Sequence, residues 1–246
     1  MRQVLKFINN CLDRISGYRL QPAADLRLNN SRIDILNKLK CNLVIDAGAN
    51  IGQWALALRK NGYKGEILSY EPSNLYSKLC AKVKFDPLWE ARRCALLDYK
   101  GSTTLYYSSN NGLSSSTNRP SRILDHDHGI QFPESYPVSV VRLDQEIIGR
   151  DNLYLKLDIQ GSEMQALLGA QGVINKIAAI EFESSLTDLY ENESSHYEIV
   201  NWLLSYGFVP WQLAVTHWDK SFRTISLDSI FVRKYSTNKV GSTVQD

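Results

Sequence analysis

The sequence LVIDAGANIGQW at residues 43–54 indicates the fold of the surrounding chain. It opens with three apolar residues, is interrupted by Gly48 and Gly52, and continues with apolar residues at helical spacing from Trp54 to Leu58. This order is typical of a buried strand, a glycine-rich turn and a helix. In such a turn, backbone N–H groups approach a ligand closely while the helix N-terminus faces it. The alternative is an ordinary βα turn that binds nothing.

A second predicted strand, residues 66–70, follows one βα unit later and ends at Glu71. An acidic residue at that point can accept two hydrogen bonds from a ribose diol. A dinucleotide fingerprint would require glycine and a small residue where this chain has Asn50 and Gln53. The observed pattern, with Asp46 before the turn, resembles motif I of class I methyltransferases, which bind S-adenosylmethionine.

Length and composition limit the kinds of protein that this chain can be. A chain of 246 residues, 43% of them hydrophobic, is long enough to bury a substantial α/β core. A net charge of +2, with scattered Lys and Arg, predicts no nucleic-acid partner. No apolar run approaches the ~18 residues of a membrane span. The cysteines form no C-x-x-C pair, which favours reduced thiols in a cytoplasmic protein; they are Cys11, Cys41, Cys80 and Cys94.

The first forty residues, 1–40, are predicted to form a helical cap. One stripe of apolar residues marks a helix face: Val4, Leu5, Phe7, Ile8, Cys11, Leu12 and Ile15. Such a stripe packs on its own domain, lies peripherally on a membrane, or forms a dimer interface. Residues 17–30 read as irregular, and Ser31 is the predicted N-cap of a helix over residues 31–39.

After Glu71, Pro72 is predicted to begin a helix. Residues 89–96 then read as a third strand, joined in a hairpin to a strand at residues 103–107. The polar segment 108–121 has the composition of a linker, but its place favours a mobile loop over the site. The run from Asp125 to His128 looks like a metal cluster, although its spacing on a loop favours a solvated segment.

A second chemical stretch, LYLKLDIQGSEMQALLGA at residues 153–170, predicts a strand that ends at Asp158. The helix after it begins at Gly161 or Ser162. Because ligands bind at the carboxyl ends of strands in open α/β sheets, Asp158 should join Glu71 around one crevice. The alternative role for Asp158 is a helix N-cap. Later segments predict strands over residues 178–183, with Glu183 near the end, and 229–232, with a helix at 197–204 between them.

These blocks together resemble the FkbM family of methyltransferases. The matching stretches are VIDAGANIGQW, SYEP, CALLDYKGSTTLYYSSNNGLSSS, LKLDIQGSEMQALLGA, IEFE and DSIFVRK, in the family's order over roughly residues 42–234. The resemblance implies a Rossmann-like α/β class I methyltransferase domain over residues 41–235. It implies a mostly parallel, seven-stranded sheet with helices on both faces, an N-terminal helical segment, an inserted hairpin, and a flexible tail at residues 236–246.

The same resemblance implies the cofactor residues, whereas the candidate bases and the acceptor contacts follow from residue types and their places in the sequence. The implied contacts of S-adenosylmethionine are Asp46, Gly48, Asn50, Gly52, Glu71, Cys94, Ala95 and Asp158, with Glu163 on the helix behind. Asp158 and Glu183 are candidates for the base that deprotonates the acceptor, with the histidines as rivals: His126, His128, His196 and His217. A divalent ion held by the two carboxylates is an unsupported alternative, so no metal site is assigned. The predicted acceptor contacts are Asn110, Asn111, Ser114 and Ser115.

The expected function is S-adenosylmethionine-dependent O-methylation of a hydroxyl group, with a sugar in a glycan, glycolipid or glycosylated metabolite as the preferred acceptor. Two alternatives remain from the sequence. A nicotinamide-dependent oxidoreductase is disfavoured by Asn50 and Gln53. A non-catalytic nucleotide-binding protein of the same fold is disfavoured by Glu71 and Asp158.

Overall fold

The computed structural model describes residues 23–126 and 129–234. The predicted apolar stripe before residue 16, the tail at residues 236–246, Asp127 and His128 lie outside this part of the chain, as do the side chains of Asp125 and His126. No helix within the described part is long and apolar enough to cross a membrane.

The described residues form eight helical segments and ten strands. In chain order they are α1 (Ala23–Lys38), β1 (Leu43–Ala47), α2 (Gln53–Lys60), β2 (Glu66–Tyr70), α3 (Tyr76–Val83), β3 (Trp89–Arg92), β4 (Ala95–Leu96), β5 (Gly101–Tyr107), α4 (Arg122–His126), β6 (Glu134–Val141), α5 (Leu143–Glu146), β7 (Leu153–Leu157), α6 (Glu163–Gly169), a 3₁₀ helix (Gln171–Lys176), β8 (Ile177–Ser185), α7 (His196–Ser205), β9 (Phe208–Trp218) and β10 (Thr224–Arg233).

The main sheet has seven strands in the order β3-β2-β1-β7-β8-β10-β9. Its first five strands are parallel, and β10 runs antiparallel to both of its neighbours. Every residue of β1 and β7 is buried, as expected for central strands of a sheet covered on both faces. The predicted fold class, a mostly parallel seven-stranded Rossmann-like sheet, is confirmed.

Two apolar cores lie on opposite faces of this sheet. One core joins alternate residues of β1 and β7, such as Ile45 and Leu155, to α6, α7 and the 3₁₀ helix. The other core joins the intervening residues, such as Val44 and Tyr154, to α1, α2 and α3. Side chains alternate between the two faces of the sheet along a strand, so burial of both sets of residues fixes the register of each strand. The register in turn places the last residue of each strand at the carboxyl edge of the sheet.

The prediction of a helix that begins at Ser31 is wrong. The helix α1 begins at Ala23, and Ser31 lies near its middle, where its hydroxyl accepts the Trp211 indole N–H at 3.2 Å. Leu28 is buried in the core, so the apolar face extends before Ser31. A serine is a common N-cap, but here tertiary packing over a longer segment decides the start of the helix.

The helix predicted to begin at Pro72 also starts later, at Tyr76, and Pro72 instead lines the cleft described below. The predicted third strand, residues 89–96, is divided between two sheets, because β3 pairs with β2 whereas β4 pairs with β6. The insertion is therefore a separate three-stranded sheet in the order β4-β6-β5.

The predicted hairpin partner of β5 is wrong as well. Strand β5 pairs antiparallel with β6, which the sequence did not predict as a strand. Pro137 lies within β6 opposite Thr104, and a proline argues against a strand interior because it lacks an N–H. Only Val140 and Val141 of β6 pair with β4 on the other side. Pro137 is thus placed where β6 has one neighbour.

Candidate active site

A cleft of about 660 Å³, counting its open mouth, lies at the carboxyl ends of β1, β2 and β7. Each strand is followed at once by a residue predicted for the site: Gly48 after β1, Glu71 after β2 and Asp158 after β7. All three residues line the cleft, together with Asn50. The crevice predicted at this edge of the sheet is therefore present.

The turn after β1 contains three residues with left-handed backbone, Gly48 (φ +75°), Asn50 (φ +52°) and Gly52 (φ +81°). The N–H groups of Gly48 and of the residue after it both donate to the Tyr70 carbonyl at 3.0 Å, which fastens the turn to the end of β2. Gly52 is the N-cap of α2, and a Cβ there would lie 2.8 Å from the Trp89 ring. Packing therefore requires glycine at position 52.

Glu71 is buried at the bottom of this cleft, with 6% of its surface exposed. One carboxylate oxygen accepts the Asn50 N–H at 2.7 Å, and the other accepts the Ser73 N–H at 2.8 Å. Burial raises the pKa of the Glu71 carboxyl above its ordinary value. Each carboxylate oxygen has two lone pairs, so Glu71 can still accept a hydrogen bond from a ligand.

One end of the cleft is apolar. Its wall is formed by Cys94, Ala95, Leu96, Leu97 and Leu105. Burial raises the pKa of the Cys94 thiol to about 11, so this side chain is neutral. The cleft thus combines an acidic acceptor with an apolar wall, the two features that the ribose and the adenine of S-adenosylmethionine require.

Asp46 is the one predicted cofactor residue on β1 itself, and it lies behind the cleft. Its side chain is fully buried and does not line the cleft. The carboxylate accepts the Ser69 hydroxyl at 3.1 Å and lies 3.2 Å from Lys156 Nζ. Asp46 therefore influences the cleft indirectly, because it stabilises β1 and Lys156.

Lys156 connects this buried aspartate to the cleft. Its Nζ lies 3.5 Å from Asp158 Oδ2 and donates to the carbonyls of Ala47 at 3.3 Å and Gly48 at 3.4 Å. Burial lowers the pKa of Lys156, but the carboxylates of Asp46 and Asp158 outweigh burial and raise it above its ordinary value. A charged lysine therefore holds the turn after β1 against the turn after β7.

A second chamber of about 1360 Å³, counting its opening, adjoins the cleft. Leu113, Asp158 and Gln160 line both spaces, so the two meet at the end of β7. Glu183 lines only the second chamber. The two predicted catalytic carboxylates, Asp158 and Glu183, are therefore brought to one junction.

Gln160 lies between these carboxylates. Its side-chain Nε2 donates to Asp158 Oδ1 at 2.9 Å and to Glu183 Oε2 at 2.8 Å. The Thr216 hydroxyl donates to the other oxygen of Glu183 at 3.3 Å. Burial, followed by the charge of Asp158, raises the pKa of Glu183 to about 8. A carboxyl group that titrates near neutral pH is suited to accept a proton from a substrate.

The segment at residues 108–121 is a docked loop rather than a linker. The Ser116 hydroxyl donates to the Gln160 carbonyl at 2.5 Å, and the Asn118 side-chain amide donates to the Gly161 carbonyl at 2.7 Å. These contacts fix the loop to the turn after β7. The loop therefore lies beside the end of β7, and its residues line both the cleft and the second chamber.

Four residues of this loop were predicted to contact the acceptor. Asn110 and Ser114 line the second chamber, Ser115 lines the cleft, and Asn111 lines neither space. Much of their polar surface is engaged within the protein, since Asn110 Nδ2 donates to Ser114 Oγ at 2.9 Å. The Asn111 carbonyl accepts the side-chain amide of Asn50 at 3.3 Å, so Asn111 contacts the turn after β1 instead.

The histidines considered as rival bases have different positions. His217 lines the second chamber, with Nδ1 4.0 Å from Glu183 Oε1. His196 lines neither space, and burial lowers its pKa. The side chain of His126 and the whole of His128 lie outside the described residues. Within residues 23–126 and 129–234, no group of three or more His, Cys, Asp or Glu residues could hold a metal ion.

Sequence reasoning did not identify Lys156, Gln160 or Tyr190 as parts of the site. A lysine inside the otherwise apolar strand LYLKL was a usable signal, because a fully buried lysine needs a buried acidic partner. Gln160 and Tyr190 gave no such signal, because the contact between the Tyr190 hydroxyl and Gln160 Oε1 joins residues 30 positions apart.

The chain is similar in sequence or in fold to known methyltransferases. The chain is 24% identical over 200 residues to the 2-O-methyltransferase NoeI of Sinorhizobium fredii, covering 77% of this chain and 82% of that protein. Magnesium protoporphyrin IX methyltransferase of Synechocystis, solved with S-adenosylmethionine, aligns with a TM-score of 0.46 at 13% identity, over 94% of this chain and 96% of that one. The N-methyltransferase NodS of Bradyrhizobium japonicum aligns with a TM-score of 0.49 at 7% identity, over 85% and 96%.

The model of the methyltransferase FkbM domain matches residues 46–210, which is more than half of the chain. This range includes the turn after β1, Glu71, the docked loop, Asp158 and Glu183. The oxidoreductase alternative is therefore wrong. The chain belongs to the FkbM methyltransferase family and is an S-adenosylmethionine-dependent methyltransferase.

Proposed function

We propose that this enzyme transfers the methyl group to a hydroxyl of a sugar, in a glycan, a glycolipid or a glycosylated metabolite. The observation that carries the proposal is the second chamber, which meets the cleft at Asp158 and has a second carboxylate, Glu183, at the same junction. A hydroxyl acceptor must lose a proton, and a carboxylate beside it can take that proton. The relative NoeI, a 2-O-methyltransferase, supports an oxygen acceptor.

The cofactor would be held in the cleft. Glu71 would accept hydrogen bonds from the ribose, the turn at Gly48 and Asn50 would lie against the cofactor, and the wall at Cys94 and Ala95 would face the adenine. Bound S-adenosylmethionine supplies a methyl group that its sulfonium already activates. The chain must therefore position the acceptor oxygen and remove its proton, and positioning alone is worth about 7–11 kcal/mol when the geometry is near attack.

The acceptor would enter the second chamber and present its hydroxyl at the junction. Asp158 or Glu183 would take the hydroxyl proton as the acceptor oxygen bonds to the methyl carbon and the sulfur–methyl bond breaks, which leaves S-adenosylhomocysteine. The carboxyl would later lose that proton to solvent. The pKa of Glu183, about 8, lies near the pH at which the enzyme would work. Among the described residues that line the chamber there is no Lys or Arg, which favours an uncharged acceptor over a phosphorylated one.

The test is methyl transfer from labelled S-adenosylmethionine to a panel of neutral mono- and oligosaccharides, with amines and carboxylic acids as competing acceptors. We expect a base-stable methyl ether on a sugar hydroxyl, located by NMR of the product. Glu183→Gln removes one of the two candidate bases and should lower the rate by about 10²–10⁴-fold. Transfer to nitrogen, or to a carboxylate as a base-labile ester, would contradict the proposal.

A further inference from the structure

The side-chain amide of Gln160 is fully committed between two carboxylates and a tyrosine. Its Nε2 lies 2.9 Å from Asp158 Oδ1 and 2.8 Å from Glu183 Oε2. A primary amide has two N–H hydrogens, so each carboxylate receives one. On the opposite side, Oε1 lies 3.1 Å from the Tyr190 hydroxyl, which also lies 2.8 Å from the Ser114 carbonyl. Because both carboxylates can only accept, they fix Nε2 on their side of the amide, and the Tyr190 hydroxyl shares its one hydrogen between Oε1 and the Ser114 carbonyl.

The backbone of this residue is held in an unfavourable conformation. Gln160 has a φ of +57°, in the left-handed region that side chains with a Cβ rarely adopt. The two oxygens of Glu163 accept the N–H groups of Ile159 at 3.0 Å and Gly161 at 2.9 Å, and so clamp the residues on either side of it. The hydroxyl of Ser116, on the docked loop, donates to the carbonyl of Gln160. Backbone strain that several contacts enforce is typical of functional positions.

The charges around Asp158 and Glu183 are mostly negative. After burial, the charges of Asp158, of Asp228, which is paired with Glu183 across β8 and β10, and of Glu163 each raise the pKa of Glu183. Gln160 acts in the opposite direction, because its N–H stabilises the ionised form of Glu183. The cationic group on the Asp158 side is Lys156, whose Nζ lies 3.5 Å from Asp158 Oδ2. On the other side, the ring of His217 places Nδ1 4.0 Å from Glu183 Oε1. Glu193 also lines the chamber.

We propose that Gln160 is a positioning residue, which holds Asp158 and Glu183 at a fixed separation and favours the ionised form of Glu183, so that the two carboxylates take the acceptor proton as one unit. Gln160 need not contact either substrate to do this. The role of the carboxylates rests on the proposed function, whereas the effect of Gln160 on the ionisation of Glu183 does not.

Gln160→Leu tests the inference, because it keeps most of the side-chain volume and removes both donors. The measurement is a pH titration of the carboxyl carbons by ¹³C NMR, in protein without cofactor or acceptor, with the two signals assigned by Asp158→Asn and Glu183→Gln. We expect the midpoint of the Glu183 titration to rise by about one pH unit in Gln160→Leu. Gln160→Met serves the same purpose if the leucine variant does not fold.

Ser116→Ala is the matched control, because it loosens the same turn at the Gln160 carbonyl and leaves the side-chain amide in place. It should leave the midpoint of Glu183 unchanged. In methyl transfer, Gln160→Leu should lower kcat at least tenfold and move the pH profile toward higher pH. An unchanged midpoint in folded Gln160→Leu, or an equal change in Ser116→Ala, would overturn the inference. If the wild-type enzyme methylates a group other than a hydroxyl, the proposed function fails, and the titration still decides the role of Gln160.

Discussion

Gly48 shows how one residue serves both the fold and the site. A Cβ at this position would lie 1.9 Å from the Asp158 carbonyl oxygen, and the backbone has a φ of +75°. The sequence suggested glycine here because a ligand approaches the turn. The structure adds a second reason, since the turn after β1 packs directly on the backbone of the turn after β7. Any larger residue must therefore displace Asp158.

We predict that Gly48→Ala destabilises the protein by more than the positive φ alone accounts for, and that it weakens cofactor binding. The positive φ should cost about 1–2 kcal/mol, and the contact with Asp158 adds to this cost. Gly149→Ala is the control, because Gly149 has a similar φ of +69° and a Cβ added there would meet nothing within 4 Å. Urea unfolding and calorimetric titration measure the two effects. Equal unfolding midpoints for the two variants would show that the contact with Asp158 does not matter.

At the scale of elements, α1 is fastened to the sheet by a buried ion pair. Arg32 Nε lies 2.9 Å from both carboxylate oxygens of Glu181 on β8, and the Tyr154 hydroxyl donates to Glu181 Oε2 at 2.6 Å. Arg32 is 9% exposed and Glu181 is 3% exposed. The cap predicted at residues 1–40 is thus packed on the sheet over its described part, and its division from the following domain stays a prediction.

Arg32→Met should destabilise the protein by about 3–5 kcal/mol, because it leaves the Glu181 carboxylate buried without its cation. Lys38→Met on the same helix removes an exposed pair with Asp34 and should cost at most about 0.5 kcal/mol. The measurement is the free energy of unfolding in urea for each variant. Similar losses for the two variants would mean that the buried pair does not fasten the helix.

Elements with continuous apolar sequence were predictable, and elements that depend on distant partners were not. The strands β1 and β7 are apolar because both faces of the sheet are covered, and the sequence shows this directly. Strand β9, Phe208–Trp218, was not predicted. Its later residues, including the exposed Leu213, are placed by pairing with β10. Hydrophobic periodicity in a sequence reflects which side chains are buried, and an edge strand such as β9 has few buried side chains.

For the whole molecule, the sequence predicted which residues follow the ends of the strands, but it did not predict which side chains connect those residues. Gly48, Glu71 and Asp158 follow from the rule that ligands bind at the carboxyl ends of strands. The links through Lys156 and Gln160 depend on side-chain directions and on contacts between segments more than 20 residues apart, such as Lys156 with Ala47 and Gln160 with Glu183. Local patterns contain no information about such contacts.

Buried acids around the second chamber should make the free energy of unfolding depend on pH. Burial raises the pKa of each of these groups: Glu163 and Glu183 to about 8, Glu193 and Asp228 to about 7. Because these folded-state values lie above the unfolded ones, the protonated groups stabilise the fold at low pH, and that stability is lost as pH rises through 7 to 8. We predict that the free energy of unfolding falls between about pH 6.5 and 8.5.

The groups with lowered pKa values do not cancel this effect. The carboxyls of Glu66, Asp86 and Asp144 lose their stabilising ionisation only below their ordinary pKa values, and His196 acts below about pH 6.5. Urea unfolding of the cofactor-free protein across this range measures the slope. Glu183→Gln should reduce the slope, and a stability that is constant or rises with pH would contradict the prediction.

We propose that two spaces with different roles meet at Asp158, one for the cofactor and one for the acceptor. Calorimetric titration of S-adenosylhomocysteine into the wild-type protein, Glu71→Gln and Glu183→Gln measures whether the two spaces have these separate roles. Glutamine at position 71 retains an acceptor for one of the N–H groups that Glu71 holds. We predict that Glu71→Gln weakens binding by about 1.5–3 kcal/mol, the value of a hydrogen bond to a charged group. Glu183→Gln should bind as the wild type does, and an equal loss of affinity in both variants would contradict the claim.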